Sequence, residues 1–242
     1  MRLRVVGVDL RQGIFRVCGV LGLIASGPLH AHEFHGYLTL VSDYVFRGAS
    51  QSNEDPTVQA GLDYLHPSGV FAGVFVAHTD FPENAFGSDP GSIELDAYLG
   101  YSRAFKRDWS WDIAALHYDY PDSTGFSYAY DELAANLHYR DVLRLGVTAS
   151  DDAGAGRESG WTAEIELSRS LSERYQVSGS VGHYEFERSD WDDYVYWDLG
   201  VSAVAGPVTF DLRYFDTNAD EAAYAGPQLT GSRVVGSVSV GF

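Results

Sequence analysis

Three imidazole–carboxylate pairs carry the most recognisable chemistry in this chain: His78-Thr79-Asp80, His117-Tyr118-Asp119 and His183-Tyr184-Glu185. Residues two apart in an extended chain share a face, so each pair sets an imidazole beside a carboxylate, which is half of a hydrolytic general-base site. No serine stands out as the nucleophile such a site needs. The row that holds His183 also holds the apolar-leaning Tyr175, Val177 and Val181. Solvated strand ends are the plainer reading, and no catalytic residue is assigned. The tract His30-Ala31-His32-Glu33-Phe34-His35 has metal-binding composition, but a processing site after Ala31 would split it, and no metal or other cofactor is expected.

A second constellation is spread along the chain. Asp43, Arg47, Asp63, Glu94, Asp96, Glu132, Asn136, His138, Arg144, Glu164, Glu166, Asp198, Asp211, Arg213 and Arg233 alternate with apolar neighbours. Folded to one side, they form an ionised interior of nine acids against four arginines. Asp43 and Arg47 on one strand face, with Asp63 beside them, would make a constriction that favours cations or zwitterions. The competing reading is a salt-bridged filling that seals a narrow barrel.

The elements that must position these residues are twelve extended segments near 36–48, 57–66, 70–80, 93–103, 109–120, 130–139, 143–150, 160–170, 175–186, 194–205, 208–216 and 232–242, with no convincing helix. Short turns at His66 to Gly69, Phe105 to Asp108, Arg140 to Val142, Leu171 to Arg174 and Ala205 to Pro207 alternate with longer polar loops. That plan matches a single-chain transmembrane barrel, as does an even strand number. The rows predicted to face lipid begin Leu38, Leu40, Tyr44, Phe46 and Val58, Ala60, Leu62, Tyr64, and continue through Ile93 to Tyr101, Leu133 to Tyr139, Trp161 to Leu167, Val195 to Val201 and Val208 to Tyr214. A basic charge on such a row at mid-bilayer would cost about 2–4 kcal/mol, and every charge listed above avoids it. Two segments do not sort. Both rows of 70–80 are apolar, and 109–120 offers either the Trp109/Trp111/Ile113 row or the Leu116/Tyr118/Tyr120 row.

Composition and the two ends agree with this plan. Mean hydropathy is −0.16, and after residue 31 nothing approaches the roughly 18 consecutive apolar residues of a membrane helix. Only a closed barrel then satisfies every backbone group in lipid. Residues 1–31 have a basic start (Arg2, Arg4, Arg11, Arg16), an apolar stretch from Val17 to Ala25 and a small residue at Ala31, the layout of a secretory signal. Its removal, with the lone Cys18, leaves 32–242 as a cysteine-free barrel domain carrying 12 basic and 33 acidic residues, −21 in all. That charge makes nucleic acid and anionic lipid heads poor partners over most of the surface, and no nucleic acid is expected. The final run Ser232 to Phe242 alternates and stops on an aromatic, the form of outer-membrane barrels whose assembly machinery reads the C-terminal segment. Acidic residues crowd the long loops, where divalent ions could bridge them to lipopolysaccharide. Arg103, Lys106, Arg107, Arg140, Arg144, Arg169 and Arg174 crowd the short-turn side.

The run Leu40-Val41-Ser42-Asp43-Tyr44-Val45-Phe46-Arg47-Gly48, followed by Ser50-Gln51, resembles the N-terminal motif of the TorF-type porin family. Pro56 to Tyr64, Ser68-Gly69, Phe71-Ala72-Gly73, Tyr118-Asp119-Tyr120-Pro121 and the terminal Gly241-Phe242 keep that register. The resemblance implies an outer-membrane barrel of porin type and no catalytic residues. The expectation is therefore an all-β, twelve-stranded outer-membrane barrel, in contact with membrane lipid and lipopolysaccharide, passing small polar solutes without a cofactor. A sealed structural or adhesive barrel, a barrel hydrolase and a soluble exported barrel are the alternatives.

Overall fold

Alternation along the chain resolves into strands that close on themselves. The computed structural model describes residues 32–81, 89–125, 127–153, 158–187, 192–219 and 227–242; the expected signal segment lies outside them. Twelve antiparallel strands form the barrel: β1 (Glu33–Val41), β4 (Thr57–Leu65), β5 (Val70–His78), β6 (Ile93–Lys106), β7 (Trp109–Asp119), β8 (Tyr130–Tyr139), β9 (Leu143–Ala153), β10 (Glu158–Ser170), β11 (Tyr175–Phe186), β12 (Tyr194–Ala205), β13 (Val208–Thr217) and β14 (Arg233–Gly241). Each pairs with its neighbour in sequence. β1 closes the cylinder by pairing with both β4 (Val41↔Thr57) and β14 (Val41↔Ser237). Phe242 completes the seam: its amide and carbonyl exchange 2.9 and 2.8 Å hydrogen bonds with Gly36, and its ring lies over that glycine. Closure leaves no edge strand to pair with another chain.

The outward rows are those the alternation predicts from Leu38 and Leu40 through Leu212 and Val240, exposed and apolar around the circumference. Both unsettled segments now have a side. In β5, Phe71, Phe75 and Ala77 face in while Val70, Val74 and Val76 face out. In β7, Ser110, Asp112, Ala114, Leu116 and Tyr118 face in, and the Trp109/Trp111/Ile113 row faces out. Asp112 explains the second choice, because a carboxylate needs partners away from water and finds them inside. Trp109 against Tyr139 (4.9 Å) and Tyr101 against Trp111 (5.8 Å) form an aromatic girdle at the short-turn end.

The first expected strand, 36–48, is the main correction. It ends at Val41, and residues 42–56 fold into the lumen around a small hairpin of β2 (Val45–Phe46) and β3 (Ala49–Ser50). Tyr44 and Phe46, expected on lipid, lie inside, with Tyr44 buried. Local hydrogen bonds win over the ladder here. Ser50 and Ser52 donate to Asp43 at 2.6 and 3.1 Å, and the Tyr44 amide donates to Ser52 Oγ at 2.9 Å. The turn is Arg47-Gly48, with φ of 48° and 81°, positive at both central residues as a two-residue I′ hairpin requires. A side chain at Gly48 would meet the Cβ atoms of Thr217 and Tyr196 at 2.8 Å, so the tip sits tight against the wall. A second departure is one helical turn, α1 (Pro227–Thr230).

Candidate functional site

The lumen is the site the folding of these residues creates, and four arginines organise it. Arg47, at the hairpin tip, donates from both terminal nitrogens to Glu132 on β8, at 2.6 and 2.8 Å, and from one of them to Thr148 on β9 at 3.0 Å. Tyr118 donates to the same carboxylate at 3.0 Å. The Arg47 guanidinium also lies 4.6 Å from the centre of the Phe46 ring and 5.3 Å from that of Tyr184. This is a bidentate, charge-assisted pair spanning the barrel interior.

The other three stand on strands. Arg144 on β9 pairs with Glu164 and, at 3.1 Å, with Glu166 on β10, and donates to Asn136 at 3.2 Å. Asn136 passes the chain on to Asp112 (2.8 Å), which also bonds His138 at 2.6 Å. Arg213 on β13 pairs with Asp198 and, at 3.2 Å, with Asp211, and reaches Ser178 Oγ at 2.8 Å. Arg233 on β14 pairs with Asp43 of the inward loop at 2.7 Å. These sit mostly or wholly out of contact with water, where pairing is what makes a charge tolerable.

Three further inward carboxylates stand on the β4 and β6 walls. Asp63 accepts from Tyr98, whose ring passes over Gly73, where a Cβ would collide with it. Glu94 accepts from Tyr120 at 3.4 Å through one oxygen, and its other oxygen has no partner; neither oxygen of Asp96 has one. Both lie near the buried Tyr44, and Asp96 also lies near Tyr118.

All fifteen predicted interior positions thus turn inward, but not by the expected route. Asp43 and Arg47 do not share a strand face; they stand on a loop, and each reaches a different wall. Arg144, grouped with the short-turn basic residues, is buried in the interior. Sequence reasoning left Asp112 unassigned, although an acid alternating with Ser110 and Ala114 already marked the inward row. The three His–carboxylate pairs are not assembled. His117 bonds Asp131 (2.8 Å), not Asp119, on the outward face; His78 is exposed, and His183 rests 6.1 Å from Trp161. His32 contacts Tyr64 and His66, whereas His35 bonds Glu33, so the two do not form one chelate.

Around the hairpin little space remains. A cavity of about 40 Å³ lies between Arg47, Gly48, Arg144, Glu164 and Phe215, and one of about 20 Å³ between Asp43, Gln59, Arg213 and Ser237. Aromatic and aliphatic side chains, chiefly Phe71, Phe75, Tyr98, Leu116 and Tyr118, fill the β5–β7 side.

Comparison with known proteins gives three findings. The family described as "Bacterial protein of unknown function (Gcw_chp)" matches residues 25–240. No curated protein matches. Among solved structures, a KdgM porin is similar over 86% of this chain and 98% of its own, with a TM-score of 0.52 and 7% identity. A NanC porin is similar over 87% and 99%, with a TM-score of 0.57 and 9% identity. At those identities the likeness is one of fold.

Proposed function

The chain belongs to the Gcw_chp family of bacterial proteins of unknown function, and we propose that it is an outer-membrane channel of porin type. It would pass small polar solutes by diffusion, with cations and zwitterions preferred. One observation carries the reading: a closed twelve-strand barrel with an apolar outward belt and with its paired charged side chains turned inward. An apolar belt of that kind is costly in water and natural in lipid. The expected secretory signal, the resemblance to TorF-type porins and the fold shared with KdgM and NanC porins support the same reading.

Passage would run beside the β2–β3 hairpin, along the polar wall of β8 to β10. Acids outnumber arginines there, which favours positive charge. Asymmetric KCl across a planar bilayer tests this with the full-length protein. Small, cation-preferring conductance is expected, and anion preference overturns the lumen assignment. A sealed barrel is the second reading, favoured by the small cavities around the hairpin. Folded, inserted protein that never conducts would establish it. No hydrolase is proposed, since His78, His117 and His183 lie on outward rows.

A further inference from the structure

The outward face is not uniformly convex. A groove of about 630 Å³ crosses it from β6 to β10. Small side chains (Ala115, Ala135 and Ala149) form its floor, flanked by Tyr101, Leu133 and Trp161. Within a bilayer the groove offers no hydrophobic gain, because lipid tails are as apolar as its walls. What it offers is contact on several sides at once, which a flexible hydrocarbon chain can fill and the convex wall of a second barrel cannot.

Charge settles what such a chain is attached to. Arg103 follows Tyr101 on the same outward row, opposite Trp111. A register shift between Ala104 and Lys106 returns Lys106 to that face opposite Trp109. Both are exposed at the short-turn end, and Arg103 has no ion pair among the described residues. The long-loop end of the same strands is different. There His117 and Asp131 pair with each other at 2.8 Å, and the carboxylate is 78% exposed, which disfavours an anionic headgroup. The groove is therefore basic at one end only.

We propose that this groove holds one acyl chain of an anionic glycerophospholipid of the inner leaflet, its phosphate placed at Arg103 and Lys106. The inference rests on the outer-membrane barrel reading above, with short turns on the periplasmic side. Lipid selectivity comes from the two cations, each worth about fivefold toward an anionic surface, and position comes from the groove.

The test reconstitutes the full-length chain into bilayers of equal phosphatidylglycerol and phosphatidylcholine and counts lipids retained on gentle release by native mass spectrometry. One retained lipid is expected, phosphatidylglycerol at least fivefold over phosphatidylcholine. Arg103→Gln with Lys106→Gln brings the two to parity. Ala135→Phe fills the groove and abolishes retention, and Val201→Phe, outward on β12, changes nothing. A measurement without variants is quenching of tryptophan fluorescence by chain-brominated lipids, stronger for the glycerol headgroup. Equal retention and equal quenching overturn the site. A chain that does not insert into bilayers overturns the barrel reading and this site with it; one that inserts and shows no preference overturns the site alone.

Discussion

Arg47 holds Glu132 with both terminal guanidinium nitrogens, at 2.6 and 2.8 Å, across 85 residues of sequence. The pair fastens the hairpin tip to the β8 wall, so removing the carboxylate frees the loop and leaves a buried cation. Glu132→Ala is expected to cost about 3–5 kcal/mol, the scale for breaking a buried pair. Conductance should rise as the hairpin leaves the lumen. Urea unfolding in vesicles and single-channel recording read the two effects. Arg47→Lys should resemble Glu132→Ala in direction, because an ammonium cannot reproduce the two-bond fork.

Gly48 predicts a second route to the same state. Its φ is 81°, and a methyl group there would meet the Cβ atoms of Thr217 and Tyr196 at 2.8 Å. Gly48→Ala therefore combines backbone strain of about 1–3 kcal/mol with a steric push away from the β12–β13 wall. The expected result is a lowered unfolding midpoint and a conductance like that of Glu132→Ala. Wild-type values for both would show that the tip is not seated against the wall.

The inward loop is where the sequence was least legible. Tyr44 and Phe46 continue the apolar row of Leu38 and Leu40, so periodicity alone extends the strand. The turn residues are Arg-Gly, not the Asn-Gly that marks hairpins most clearly, and the deciding partner, Glu132, is remote in sequence. The remaining rows were readable because lipid demands continuous apolar side chains, as at Leu95, Ala97 and Leu99, opposite an inward Glu94 and Asp96. In β5 that contrast vanishes. Phe75 faces in to meet Tyr44 of the loop, with ring centres 6.1 Å apart, and nothing polar distinguishes the two faces.

The outward rows make a prediction independent of the lumen. Leu199, on the middle of β12, is 56% exposed. Leu199→Arg should destabilise folding into bilayers by about 2–4 kcal/mol, whereas Leu199→Val should cost little. Denaturant titration in vesicles measures the difference. Equal stability of the two variants would place that row in water.

Asp122, in the connection between β7 and β8, makes the pH prediction. Burial pushes its carboxyl up, but the amide and hydroxyl of Ser92 (2.9 and 2.8 Å) and the amide of Ile93 (3.1 Å) donate to it, and the net position is below the ordinary value. A carboxyl depressed in the folded state stabilises that state above its unfolded value, about 3.9. The contribution is lost as pH falls through the lower, folded value. Amide exchange at Ser92 and Ile93 should therefore be protected at neutral pH and quicken, relative to the rest of the barrel, below about pH 4. In Asp122→Asn the local protection should no longer change with pH.

Charge preference should depend on how each inward acid is paired. Asp43 is committed to Arg233 at 2.7 Å and to Ser50 at 2.6 Å, so neutralising it unbalances a cation and loosens the inward loop. Both oxygens of Asp96 and one of Glu94 lack hydrogen-bond partners, and a buried carboxylate without partners is too costly to keep charged, so Glu94→Gln with Asp96→Asn changes little charge and breaks no ion pair. That double variant should keep the wild-type unfolding midpoint and leave the cation-to-anion permeability ratio within about twofold of wild type, a span of roughly 0.4 kcal/mol. Asp43→Asn should instead lower the midpoint and shift preference toward anions through the released Arg233. Reversal potentials in asymmetric KCl separate the two outcomes. A larger fall in the double variant would show that ions pass along β6 and not along the β8–β10 wall.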